Sequence, residues 1–130
     1  MAAKVLVADD ELHIIHVVAL KLRKNDYEVV TAQSGEEVIE LVKEEKPDIL
    51  VIDYQMPGMT GVEVVEKLRS DKQTEGLPVI MLTARSFEFD QQQRDRLNIS
   101  EFVGKPFSPR ELLHKVEEIL NHNKAMAGNQ

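Results

Sequence analysis

The feature that most constrains the fold of this chain is a regular alternation of short apolar runs with longer amphipathic segments. The apolar runs are rich in Val and Ile, which is typical of β-strands. Three of them are almost continuously apolar, as expected for a parallel sheet that is covered on both faces. The predicted strands are Lys4–Ala8, Tyr27–Thr31, Ile49–Ile52, Val79–Leu82 and Glu101–Val103.

The segments between these runs have the length and the start signals of helices. Ser34, Thr60 and Ser108 are each followed three positions later by Glu. This pattern predicts a capping box, in which the hydroxyl accepts a hydrogen bond from a free N–H of the first helical turn. The predicted helices are Glu11–Lys24, Glu36–Glu45, Gly61–Ser70, Phe87–Leu97 and Pro109–Asn121.

Strands and helices in strict alternation predict an α/β fold with a doubly wound parallel sheet and right-handed crossovers. A chain of 130 residues fits one domain, and without Cys it contains no disulfide framework. We expect residues 1–122 to form this domain. Residues 123–130 are predicted to be a flexible polar tail.

The charge balance excludes several classes of partner. The formal net charge is -7, and such a surface repels the phosphates of nucleic acids and anionic membranes. No apolar run approaches the ~18–20 residues that span a bilayer, and the first residues lack the pattern of a signal peptide. We therefore expect a cytoplasmic protein that binds neither nucleic acid nor membrane.

Polar side chains follow four of the five predicted strands. They are Asp9, Asp10 and Glu11 after the first strand, Asp53 after the third, Thr83 after the fourth and Lys105 after the fifth. In doubly wound sheets, ligands bind beyond the carboxyl ends of the strands. The sequence thus predicts that carboxylates, a hydroxyl and an ammonium meet at one edge of the sheet.

These groups together favour phosphoryl transfer onto a carboxylate. Clustered carboxylates repel one another unless a cation lies among them, and oxygen ligands suit Mg²⁺. A magnesium ion, an ammonium and a hydroxyl can share the oxygens of a phosphoryl group, while one carboxylate acts as the nucleophile. Taken singly, the same residues also fit ordinary roles, since Asp is a good helix cap and a common turn residue.

In four stretches the sequence resembles the receiver domain of response regulators in two-component signalling, and in particular a stand-alone, chemotaxis-regulator-like receiver. The stretches are Val5–Glu11, Asp48–Gly61, Pro78–Ala84 and Phe102–Phe107, and the resemblance extends over roughly residues 4–120. It implies a flavodoxin-like three-layer sandwich, with five helices and five strands in the order 2-1-3-4-5.

The resemblance also implies roles at the acidic edge. Asp53 corresponds to the phosphoacceptor. Asp10, Asp53 and the backbone carbonyl of Gln55 correspond to direct ligands of Mg²⁺, and Asp9 to an acid that acts on the metal through water. Lys105 corresponds to the cation that pairs with Asp53 and then with the phosphoryl group. The peptide bond after Lys105 is usually cis in the family.

Further positions correspond to switching and tuning residues of the family. Thr83 and Phe102 are expected to move inward together after phosphorylation. Gln55 and Arg85 occupy positions that tune the lifetime of the phosphoryl group. Gly61 belongs to the turn that shapes the loop after the third strand.

The implied function is that of a phosphoacceptor signalling domain rather than an enzyme with a separate substrate. The phosphodonor would be a sensor histidine kinase or a histidine phosphotransfer protein. The output would be a downstream protein that binds the face formed by helix 4, strand 5 and helix 5. The chain itself would be a monomer or a weak phosphorylation-dependent dimer.

Two alternatives share the same fold. A phosphorylation-independent interaction module would need a broken acidic pocket, whereas this chain has every acidic, hydroxyl and lysine position. A flavin or nucleotide binder would need a Gly-rich or Ser/Thr-rich loop after the first strand. This chain places Asp9, Asp10 and Glu11 there.

Overall fold

A computed structural model of the chain describes residues 2–84 and 91–128, and its strands and helices alternate as predicted. The strands are β1 (Lys4–Ala8), β2 (Glu28–Ala32), β3 (Ile49–Asp53), β4 (Val79–Thr83) and β5 (Glu101–Gly104). The helices are α1 (Leu12–Lys24), α2 (Gly35–Glu45), α3 (Gly61–Arg69), α4 (Gln91–Leu97) and α5 (Pro109–Gly128).

The five strands form one parallel sheet in the order β2-β1-β3-β4-β5, which confirms the predicted fold class. β1 lies between two neighbours, so that Val5 is paired with Val29 on one side and with Ile49 on the other. Because every strand runs in the same direction, all carboxyl ends lie at one edge of the sheet. The polar residues singled out in the sequence therefore lie along that edge.

The sheet separates two hydrophobic layers. Successive residues of a strand point to opposite faces, so Val5 and Val7 pack against α1 and α5 while Leu6 and Ala8 pack against α2 and α3. All four side chains are completely buried. Burying an aliphatic side chain of this size stabilises a fold by roughly 1.5–3 kcal/mol, which explains why the strands are almost continuously apolar.

Hydroxyl caps begin three of the helices, as the sequence predicts. At α3 the capping box is complete: Thr60 Oγ1 accepts from Glu63 N, and Glu63 Oε1 accepts from Thr60 N, both at 3.1 Å. Ser34 and Ser108 likewise accept hydrogen bonds from the backbone N–H three residues on, at 3.3 and 3.0 Å. These caps satisfy N–H groups that have no partner within the helix.

Two of the predicted site residues lie within strands rather than after them. β3 includes Asp53 and β4 includes Thr83, because strand pairing continues one residue further than the apolar runs do. Asp53 is in register with Leu82, and Lys105 N donates to the carbonyl oxygen of Thr83 at 2.6 Å. The backbone of both residues is therefore held by the sheet.

Helix α5 is longer than the sequence predicts. It continues to Gly128, whereas the prediction ended it at Asn121 and treated the following residues as frayed. The predicted end at Asn121 was wrong because polar composition does not stop a helix: Lys, Ala and Met in this segment are good helix formers, and no Pro interrupts it. The boundary between a domain and a flexible tail at residue 122 stays a prediction.

The remaining bounds agree with the predicted ones to within a single residue, except at α4. The prediction for that helix began at Phe87, and residues 87–90 lie outside the described residues. Over the described ranges, no helix is both long enough and apolar enough to cross a membrane.

Candidate functional site

Three carboxylates meet at the carboxyl edge of the sheet. Asp9 and Asp10 follow β1, and Asp53 is the last residue of β3. One oxygen of each side chain lies within 4.8 Å of the others. Asp9 is 0% and Asp53 5% exposed, whereas Asp10 is exposed. Two of the three acids have therefore lost most of their contact with water.

Lys105 brings a positive charge into this cluster from the loop after β5. Its Nζ atom lies 2.9 Å from Asp9 Oδ2 and 3.2 Å from Asp53 Oδ2, and its side chain is 15% exposed. The third carboxylate within reach is that of Glu11, at 3.5 Å. The Lys105–Pro106 peptide bond is cis, as the resemblance implies.

The electrostatics of the cluster are dominated by burial. Burial, followed by the charge of Asp9, raises the pKa of Asp53 from 3.8 to about 6, although Lys105 acts in the opposite direction. Burial also disfavours the charged form of Lys105 and by itself would lower the pKa of its ammonium. The hydrogen bond to Asp9, together with the charges of Asp53 and Asp9, outweighs that effect and raises the pKa of the ammonium. The cluster thus contains more negative charge than one lysine compensates.

Asp9 is fixed by hydrogen bonds on both carboxylate oxygens. Oδ2 accepts from Lys105, and Oδ1 accepts from Glu11 N at 2.9 Å. Its own backbone N–H donates to the carbonyl oxygen of Ala32 at 3.2 Å. Asp53 is less constrained, since within the described residues its Oδ1 atom accepts a single long hydrogen bond of 3.4 Å from Gln55 N.

The loop after β3 folds back onto Asp53 at Gly61. The Gly61 N–H donates to the carbonyl oxygen of Tyr54 at 2.7 Å. Gly58, within the same loop, has a φ of +81°, a conformation that glycine adopts without steric cost. Two glycines therefore allow the short path that connects the end of β3 to the start of α3.

The cluster opens into a cavity of about 530 Å³. Its lining residues are Asp10, Glu11, Asp53, Tyr54, Gln55, Ala84 and Lys105. This volume is many times the ~30 Å³ that one water molecule occupies in the liquid. A hydrated cation and a group of phosphoryl size can both fit beside Asp53.

The donor set of this cavity suits a hard divalent cation. Carboxylate oxygens are the ligands that Mg²⁺ prefers, and this ion usually retains several waters. The exposed Asp10 leaves room for such waters. Burial and the negative charge of Asp9 both raise the pKa of Asp53, and a second positive charge would relieve the repulsion between the two acids. Asp9, Asp10 and Asp53 could therefore hold a magnesium ion.

The remaining predicted residues lie in β4, in β5 or outside the described residues. Thr83 ends β4 and is buried. Phe102 lies in β5 in register with Met81 and packs, partly buried, against the layer on the α2 and α3 side of the sheet. Arg85 lies outside the described residues. The structure thus gathers the acids and Lys105, while the roles of all these residues stay predictions.

Sequence reasoning assigned no individual role to Glu11, although the structure places it against Lys105. One signal was available in the sequence. Glu11 precedes the first turn of α1, at a position where Ser, Thr, Asp or Asn is the usual helix cap. A longer acid at this position indicates a side chain used for something other than capping.

Comparison with known proteins yields one family for this chain. The family model described as response regulator receiver domain matches residues 5–117. The alkaline phosphatase synthesis transcriptional regulatory protein PhoP of Bacillus subtilis (strain 168) is 39% identical over 127 residues, which are 98% of this chain and 52% of that protein. The chain therefore spans about half the length of this curated relative.

Solved structures support the same relationship. The chemotaxis response regulator CheY4 of Vibrio cholerae superposes with a TM-score of 0.84 and 32% identity, covering 92% of this chain and 99% of that one. A response regulator from Chloroflexus aurantiacus J-10-fl superposes with a TM-score of 0.84 and 31% identity, covering 93% of this chain and 99% of that one. A CheY-like receiver domain protein from Methanospirillum hungatei JF-1 superposes with a TM-score of 0.88 and 25% identity, covering 97% of this chain and 99% of that one.

Proposed function

The chain belongs to the response regulator receiver domain family of two-component signalling, and from this premise we propose that it is a magnesium-dependent phosphoacceptor switch. In this proposal Asp53 takes a phosphoryl group from the phosphohistidine of a sensor histidine kinase or a histidine phosphotransfer protein. The observation that carries the proposal is the position of Asp53. Its carboxylate opens into the acidic cavity and lies 3.2 Å from the ammonium of Lys105.

Asp53 has the properties of a carboxylate nucleophile. Its pKa of about 6 leaves it mostly ionised at neutral pH, and a raised pKa makes the anion a stronger base than an ordinary aspartate. One of its oxygens would form a bond to phosphorus while the bond from phosphorus to the imidazole nitrogen breaks. The electron pair of that bond leaves with the imidazole.

Lys105 would stabilise the charge that is transferred. Its ammonium already contacts Asp53, and a phosphoryl group attached there would bring further oxygens within its reach. Hydrogen bonds between an ammonium and phosphoryl oxygens are charge-assisted and therefore strong. Asp9 holds the same ammonium at 2.9 Å and so keeps it at the strand ends before and after transfer.

Magnesium completes the proposed site. Asp10, Asp53 and the backbone carbonyl of Gln55 would be its direct ligands, and Asp9 would act through water. When bound, the ion supplies positive charge against the phosphoryl oxygens. This assignment agrees with the surplus of negative charge in the cluster.

Thr83 and Phe102 would transmit the phosphorylated state to the surface. Thr83 ends β4 and Phe102 lies in the neighbouring strand β5, and phosphorylation would bias an existing equilibrium between two surface arrangements. The face that changes would be formed by α4, β5 and α5, where a downstream protein or a second copy would bind. Gln55 and Arg85 would tune the lifetime of the phosphoryl group. A cytoplasmic location also stays a prediction.

A phosphorylation-independent interaction module remains the alternative function on this fold. It has no need of a charged nucleophile or of a lysine buried against it. The described residues retain every group that phosphoryl acceptance requires, namely Asp9, Asp10, Asp53, Thr83 and Lys105. Nothing in the geometry of the site favours the alternative.

Mass spectrometry after incubation with acetyl phosphate and MgCl₂ tests the proposal. We expect a mass gain of one phosphoryl group that is absent without Mg²⁺ and absent in Asp53→Asn. Asp26→Asn is the matched control, because it makes the same chemical change in the turn before β2, far from the acidic edge. No mass gain in the unmodified chain at any Mg²⁺ concentration would instead favour the interaction module.

A further inference from the structure

Lys105 has three N–H donors on its ammonium, and it has three carboxylate partners. Asp9 accepts at 2.9 Å, Asp53 at 3.2 Å and Glu11 at 3.5 Å. The Glu11 contact is the longest of the three, and its side chain is 59% exposed, whereas those of Asp9 and Asp53 are buried. Glu11 is therefore the partner that Lys105 can exchange at the lowest cost.

The Glu11 carboxylate has no role in capping the helix that it precedes. Glu11 is the N-cap residue of α1, yet its side chain makes no capping hydrogen bond. Its backbone N–H is instead bound by Asp9 Oδ1 at 2.9 Å. Elsewhere in this chain, Ser34 and Thr60 cap their helices in the usual way. Among residues 2–84 and 91–128, the contact with Lys105 is thus the one specific interaction of the Glu11 side chain.

Glu11 also lines the two cavities that border Lys105. It lines the acidic cavity of about 530 Å³ and a second cavity of about 480 Å³ on the other side of Lys105, between α1 and the loop after β5. Lys105 lines both cavities as well. The negative charge of Glu11 therefore stands at the rim beside the ammonium that a phosphoryl group would need.

We propose that Glu11 is a positioning residue that competes with the phosphoryl group for Lys105 and thereby slows phosphorylation of Asp53. This inference rests on the proposed phosphoacceptor function. In the unphosphorylated protein, Glu11 occupies one of the three N–H donors of Lys105. When the phosphoryl group arrives, that N–H group donates to a phosphoryl oxygen instead, and the exposed Glu11 carboxylate is hydrated by water.

The test is the rate constant of phosphorylation by acetyl phosphate at saturating Mg²⁺ in Glu11→Gln. We expect it to rise about threefold to tenfold at low ionic strength, which corresponds to roughly 0.7–1.4 kcal/mol for a partly screened ion pair. At about 0.5 M salt the difference should shrink, because exposed charges are then screened. Glu11→Ala, which removes the acceptor oxygens altogether, should be accelerated at least as much.

Two controls separate the possible explanations. Glu44→Gln removes the same charge from an exposed position on α2 and should leave the rate constant unchanged. In a Lys105→Met background, Glu11→Gln should have no further effect if Glu11 acts through Lys105. A rate that is unchanged or lower in Glu11→Gln would overturn the proposal, and so would an undiminished acceleration in the Lys105→Met background.

The outcome for the unmodified chain distinguishes this inference from the function on which it rests. If that chain takes up no phosphoryl group, the phosphoacceptor function itself is wrong. If it takes up the group at the same rate as Glu11→Gln, the function stands and the competition by Glu11 does not exist.

Discussion

Gly61 lies directly against the backbone of Asp53. A Cβ atom on Gly61 would come within 2.5 Å of the Asp53 carbonyl oxygen and 3.1 Å of the Tyr54 Cα atom. Both neighbours are backbone atoms and cannot rotate away. The first residue of α3 is therefore packed against the end of the strand that carries the proposed phosphoacceptor, and its lack of a side chain sets the geometry of the site.

Gly61→Ala should destabilise the protein and impair the acidic site together. The added methyl group forces the loop away from Asp53, and overpacking of this kind typically costs about 1–3 kcal/mol. Chemical denaturation measures the loss of stability, and acetyl phosphate labelling measures the loss of phosphorylation. Gly76→Ala is the control, since its Cβ would meet nothing within 4 Å. Equal stability of the two variants would contradict the close contact at Gly61.

Asp53→Asn should stabilise the fold at neutral pH in the absence of Mg²⁺. The folded protein holds the Asp53 proton more tightly than the unfolded chain does, because the pKa rises from 3.8 to about 6. The free energy of unfolding therefore decreases as the pH rises from 3.8 to about 6, and this contribution of Asp53 does not change further above that range. Removing the charge should restore up to about 3 kcal/mol, since one unit of pKa difference between the folded and unfolded states corresponds to about 1.4 kcal/mol.

The pH dependence of this gain is the sharper measurement. Urea unfolding of both proteins in metal-free buffer should show the gain in full at pH 8 and no gain below about pH 3, where Asp53 is protonated in both the folded and the unfolded state. A variant that is less stable than the unmodified chain at pH 8 would show that Lys105 outweighs burial and Asp9.

Magnesium should raise the thermal stability of the unmodified chain. An ion that binds only the folded state adds about 1.4 kcal/mol for each tenfold excess over its dissociation constant. Melting curves in MgCl₂, compared with NaCl of equal ionic strength and with EDTA, measure this shift. Asp10→Asn removes an exposed acid of the cluster and should largely abolish the shift, whereas Asp26→Asn should retain it. A shift that is identical in Asp10→Asn would argue against metal binding at this edge.

Arg69 should be important for stability even though it lies far from the acidic cavity. Its guanidinium donates to the carbonyl oxygens of Leu97 at 2.7 Å, Glu75 at 2.7 Å and Asn98 at 3.2 Å. It thereby ties α3 to the end of α4 and to the loop before β4. Arg69→Lys retains the charge but not the planar fork of donors, so we expect a loss of about 1–3 kcal/mol.

Hydrogen exchange locates this effect as well as measuring it. Amides near the end of α4 should exchange faster in Arg69→Lys, and the phosphorylation rate constant should remain within about twofold, a change of roughly 0.4 kcal/mol. Arg110→Lys, at an exposed position of α5, should change neither quantity. Unchanged exchange in α4 would mean that the Arg69 hydrogen bonds do not hold that helix.

Much of this protein follows from local sequence patterns. The alternation of apolar runs and amphipathic segments predicts the strands and helices, and the hydroxyl residues Ser34, Thr60 and Ser108 mark three helix starts. These features depend on neighbours within a few positions along the chain, which is the range over which periodicity and capping operate. The order of the strands came from the resemblance to a family, since no local pattern specifies which strands pair.

Other features depend on packing across the whole domain. The sequence places acids and Lys105 at strand ends, but it does not reveal that one ammonium contacts Asp9, Asp53 and Glu11 at the same time, across as many as 96 positions of the chain. It likewise contains no sign that Gly61 touches Asp53 or that burial raises the pKa of that acid.

The amino-acid sequence by itself determined which groups this protein can bring to the acidic edge of its sheet and which segments carry them. The tertiary structure decided how far each charge is removed from water and which carboxylates share the single ammonium. The physical reason is that side-chain identity is a local property, whereas electrostatic energy depends on distances of a few ångströms and on burial. Both are set only when β1, β3 and β5 are assembled into one sheet.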